Sequence, residues 1–177
     1  MNPTAFSVLF AITKFAGFNV NDVEQFLGGF IKGTIDEDDL TKIQACLVNA
    51  ESLEAELEKA VADFEKGDIT DIIAGVEVIG QMLSELPADL ATCKDMQGDL
   101  DRIESWAAIF KDPKALAKVL MANVLPNISQ IEQDVIKTKN DITTAELFYA
   151  GEDVADLLIL ALGPVPASPD TIQITQW

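Results

Sequence analysis

The 177-residue chain contains no histidine. That removes Ser–His and Cys–His nucleophilic catalysis and imidazole acid–base work. Nearly all zinc, copper and non-haem iron sites go with it. A ferritin-type di-metal site needs Glu-x-x-His motifs and is ruled out for the same reason. Basic residues are scarce. Twelve Lys and Arg stand against thirty Asp and Glu, a formal net charge of −18. A protein that grips nucleic acid needs cations to displace counterions, so nucleic acid is not an expected partner. Anionic membrane surfaces are disfavoured on the same ground. No apolar run reaches the roughly 18 residues a spanning helix needs, so no transmembrane segment is expected. Phosphate loops are missing too: Gly28 to Gly33 reads GGFIKG, without the GxxxxGK[ST] spacing or a strand before it. No catalytic residues and no cofactor are expected, and the chain reads as a non-enzyme.

What is present is apolar and helical in pattern. Hydrophobic residues make up 49% of the chain, enough to argue against disorder despite the charge. The length suits one domain with a sizeable core. Between Asp36 and Lys66, Leu40, Ile43, Leu47, Ala50, Leu53, Leu57, Ala60 and Phe64 recur every three or four residues. This predicts one long amphipathic helix. A more apolar segment follows from Asp68 to Leu86. Lys66, Gly67 and Asp68 join them as a cation in the last turn, a C′ glycine and an N-cap. So short a joint makes the two helices antiparallel neighbours, the expected spine of the fold.

Elsewhere the pattern predicts a helix from Thr4 to Ala16. Its apolar opening looks like a short signal h-region, but it has no basic n-region and reads as the first helix of the fold. A second helix runs from Asp22 to Lys32, capped by Asn21 and stopped by Gly33. Further helices are expected at Ala88–Met96 with Pro87 at N1, Asp99–Phe110, Pro113–Leu125 behind an Asp112 cap, Asn127–Tyr149 with a break near Asn140, and Glu152–Leu162 after Gly151. The fold class is therefore all-α, a bundle of seven to nine helices over residues 1–162. Residues 163–177 form an extended Pro-rich tail. Within it Thr171–Trp177 alternates apolar and polar residues, and Ile172, Ile174 and Trp177 make it a candidate interaction arm.

Three further candidates come from the residues. Gly28 and Gly29 sit mid-helix, where each costs up to about 1 kcal/mol against Ala. The gain is close approach of another helix backbone; the sharper reading is a pocket for a hydrophobic ligand lined by Phe26, Gly28, Gly29 and Phe30. Asp36, Glu37, Asp38 and Asp39 open a helix and complement its dipole. Asp36, Asp38 and Asp39 are also a calcium candidate, though the spacing is not that of an EF-hand. Glu51, Glu54 and Glu58 read as a solvated face. The two cysteines, Cys46 and Cys93, fall within predicted helices, and can form one bridge or remain two buried thiols.

Several short motifs together resemble an uncharacterised family of small helical proteins abundant in ciliates. They are Phe26–Gly33, Cys46–Leu53, Leu86–Cys93 and Tyr149–Gly151. The resemblance implies a secreted or luminal all-helical domain with a Cys46–Cys93 bridge, and no catalytic residues. The expected function is a structural or interaction protein that assembles with itself or another protein through apolar helix faces and the tail. A lipid-binding helical module and an acidic calcium-binding matrix protein are the rivals.

Overall fold

The computed structural model describes residues 18–47 and 50–166. The helix expected at Thr4–Ala16 and the arm residues Ile172, Ile174 and Trp177 lie outside these. Eight α-helices and no strand occur among the described residues: α1 (Val20–Ile35), α2 (Leu40–Cys46), α3 (Glu51–Lys66), α4 (Ile69–Asp89), α5 (Gln97–Ala107), α6 (Pro113–Val124), α7 (Ile128–Thr143) and α8 (Leu147–Leu162). Short 3₁₀ turns precede and follow α5. The all-α fold class is as the periodicity predicts.

The α3–α4 hairpin forms where its local signals put it. Gly67 takes φ 79°, a left-handed value that glycine adopts without a Cβ penalty. Asp68 then caps α4 by accepting a hydrogen bond from the Asp71 N–H. Leu53, Leu57, Ala60 and Phe64 of α3 are buried with Ile72, Val76, Ile79, Leu83 and Leu86 of α4. Yet the most extensive pairing in the bundle is between α1 and α8, the first and last described helices. Here the backbones touch. A Cβ on Gly29 would lie 1.7 Å from the Phe148 carbonyl oxygen, and one on Gly151 would lie 2.1 Å from that of Phe26. Around this pair, α7 packs on α8 and α3, α5 on α4, and α6 on α8.

Element boundaries differ from the periodicity wherever a tertiary contact intervenes. Helix α1 starts two residues early, capped by Asn19 rather than Asn21. The Asn19 side chain accepts from the Asp22 N–H and the Asp22 carboxylate accepts from the Asn19 N–H. Gly33 does not stop α1. It lies inside the helix, where a Cβ would come 2.6 Å from that of Ala155. The chain turns at Asp36 instead, with φ 58°.

The long helix expected over Asp36–Lys66 is two helices. The Cys46 carbonyl accepts from the Thr92 hydroxyl at 2.8 Å, and Leu47 is extended, so α2 ends there. Pro87 does not open a helix but sits in the last turns of α4, where its ring forgoes a single backbone bond. Of the helix expected at Ala88–Met96, the first two residues end α4 and the rest is a turn and a 3₁₀ segment, so Cys93 is not helical. The break placed near Asn140 comes at Thr144–Glu146, with Ala145 at φ 62°. Gly151 is not a separator, because α8 already begins at Leu147.

Candidate functional site

Cys46 at the end of α2 and Cys93 after α4 are joined, with their Cα atoms 5.2 Å apart and a sequence separation of 47. The bridge ties the α2–α3 break to the far end of α4. Gln97 closes the same turn by donating to the Leu90 and Cys93 carbonyls.

The residues proposed for a pocket are core residues. Phe26 and Phe30 are 1% and 0% exposed. Gly28 faces Leu40 of α2 and Gly29 faces the α8 backbone, so these positions hold α1 against α2 and α8. The acidic run does not converge on a point either. Asp36 pairs with Lys32, while Asp39 turns inward and lies 3.2 Å from the Lys42 ammonium. Among the described residues no three acidic or cysteine side chains are placed to hold a metal ion.

The concave apolar surface lies elsewhere, between α4 and α6. A cleft of about 340 Å³ is lined by Ile69, Ile73, Leu116, Leu120, Met121 and Leu125, with Glu77 at its edge. Helix α6 is positioned for this by its start: Pro113 sits at N1 and Asp112 accepts from the Ala115 N–H. Its inner face buries Leu116, Leu120 and Val124, which leaves Met121 and Leu125 outward at 72% and 67% exposure. Near the C-terminal end of α6, Asn123 donates to the Ala161 carbonyl. From there the chain runs across α5, where Trp106 donates to the Gly163 carbonyl at 3.0 Å and Arg102 to that of Pro166 at 3.1 Å. Sequence reasoning missed this cleft. The adjacent exposed Met121 and Leu125 of α6, both apolar at i and i+4, were the available signal.

It also missed a set of carboxyl pairs that join helices. Burial pushes the Glu56 carboxyl on α3 up to about 8, aided by its hydrogen bond with Glu85 of α4 and by the nearby charges of Glu85 and Asp89. On α8, burial and a hydrogen bond with Asp141 of α7 push Asp153 up to about 8. Asp99 of α5 is raised to about 6 by burial and by its bond with Asp39, at the start of α2. Each raised carboxyl thus faces a second carboxyl on a neighbouring element, where its ionisation would bring two negative charges together.

Fold and surface together define a disulfide-stapled, acidic, all-α domain with an apolar cleft between α4 and α6. The model of the SctB-like family, described as secreted protein B-like, matches residues 9–161, and the chain belongs to that family. No curated protein and no solved structure matches it. No described helix is long and apolar enough to cross a membrane.

Proposed function

We propose that the protein is a secreted, non-enzymatic structural or interaction protein that assembles through its apolar α4–α6 face and its C-terminal arm. The observation that carries this reading is the exposure of Met121 and Leu125 beside the cleft, on a chain of net charge −18. Such a chain gains nothing in solubility from aliphatic side chains held in water, and contiguous apolar surface is what association uses. Secretion is supported by the family's description and by the Cys46–Cys93 bridge, which persists in an oxidising compartment. The non-enzymatic reading rests on a histidine-free chain whose raised carboxyl groups face one another across helix contacts. Light scattering on the full chain and on a chain ending at Gly163 tests it. Association by the full chain and its loss on truncation are expected; a monomer in both cases would end the reading.

A second reading draws on the cleft. Its volume and aliphatic lining suit a hydrophobic small molecule such as a lipid tail. A monomer carrying lipid in native mass spectra would favour that over assembly.

A further inference from the structure

We propose that the α4–α6 cleft is the seat of the chain's own C-terminal arm, Thr171–Trp177, so that an isolated protomer closes its apolar face with its own tail. The inference deepens the assembly reading by naming the surface that receives the arm. It rests on that reading only in taking the arm as an adhesive segment.

Reach and charge both favour the arm. Ala161 is hydrogen-bonded to Asn123, whose neighbours Leu120 and Val124 line the cleft. The chain therefore leaves α8 at the cleft's flank. Pro166 lies five residues on, and five residues span no more than about 18 Å. The next five residues, 167–171, span up to about the same 18 Å, so the chain can return to the flank of the cleft with Thr171–Trp177 left to lie along it. Gly163 and Pro166 are both pinned to α5, so the arm starts from a fixed point rather than from a free end. A tether that short gives a local concentration on the order of millimolar, well above what a second protomer reaches in dilute solution.

The arm's composition fits. Residues 167–177 carry Ile172, Ile174 and Trp177 and a single charged side chain, Asp170. A second copy docking here would instead bring its own −18 charge to a cleft whose charged lining residue is Glu77. Exchange of the arm between two protomers would reuse the same seat, which makes arm exchange a low-cost route to assembly at high concentration.

The test uses the full chain with Trp177→p-benzoylphenylalanine, irradiated in dilute solution, with the products weighed and the joined peptides mapped. A product of monomer mass, joining position 177 to residues 116–125 or 69–77, is the expected result. The same chain carrying Met121→Glu and Leu125→Glu, both at exposed positions that leave the core intact, should lose the product about tenfold, because a charge would be buried under the arm. Three outcomes overturn the proposal: a joint elsewhere on the surface, no protein joint at all, or a product of dimer mass, which would give the cleft to a second copy. The two readings fail separately. Self-association with the arm joined elsewhere sinks only the seat, and a monomer whose arm lies in the cleft sinks only assembly.

Discussion

Two glycines and a cysteine pair decide more at the residue scale than any catalytic type. At Gly151 an added Cβ meets the Phe26 carbonyl oxygen at 2.1 Å, a backbone atom that cannot swing aside. Gly151→Ala should therefore cost about 3 kcal/mol or more in urea unfolding, the upper range for overpacking. Gly98 is the control. It lies in the first turn of α5 with nothing within 4 Å, so Gly98→Ala should stabilise by about 0.5–1 kcal/mol through helix propensity and a stiffer unfolded chain. Equal effects at the two sites would remove the close-approach account of α1 and α8. The Cys46–Cys93 bridge closes a loop of 47 residues' separation. In the chain-entropy account its loss in Cys46→Ser/Cys93→Ser costs about 4 kcal/mol, read as a lower denaturant midpoint with little change once reductant is added. Sequence reasoning found that Gly29 serves backbone approach, because a mid-helix glycine has to be offset by something. It could not find Glu85 as the partner of Glu56, since helix periodicity says nothing of which carboxyls meet across two helices.

At the scale of elements, legibility followed locality. The α3–α4 hairpin was readable because a lysine, a glycine and an aspartate in succession each act on their own backbone. The Asp112–Pro113 start of α6 was readable for the same reason. The errors lie where a distant contact overrules the local signal. Thr92 takes the Cys46 carbonyl and splits one expected helix, and α1 packs so tightly on Gly151 that a residue read as a break is an interior position of α8. A local signal should also have a local cost. Asp112→Ala removes the side chain that accepts from the Ala115 N–H and should lower stability by about 1 kcal/mol. Thermal melts of the full chain check this, and a loss far larger would mean that α6 is held by its cap rather than by Leu116, Leu120 and Val124.

For the molecule as a whole, charge is the distinguishing property, and composition alone shows only its sum. A total of −18 says that repulsion grows as carboxyls ionise. The structure adds where the raised carboxyls sit: Glu56 against Glu85, Asp153 against Asp141, and Asp99 against Asp39, each contact bridging two elements. Glu56, Asp99 and Asp153 have folded pKa values above their unfolded ones, so between the two values the folded state binds more protons. Stability must then fall as pH rises. The contribution is complete below about pH 4, where the unfolded groups are protonated as well. It is lost through pH 6 for Asp99 and through pH 8 for Glu56 and Asp153. Asp36 and Asp68 are shifted downward and act in the opposite sense, but both lie at the surface where solvent screens them. The protein should accordingly melt at a higher temperature at pH 5 than at pH 8.5. Replacing the raised members, Glu56→Gln and Asp153→Asn, supplies an amide that donates to Glu85 or Asp141 without titrating, so the double variant should gain stability at pH 8.5 and flatten the dependence. A melting temperature that is level or rising across this interval would show that the three pairs do not carry their protons into the folded state.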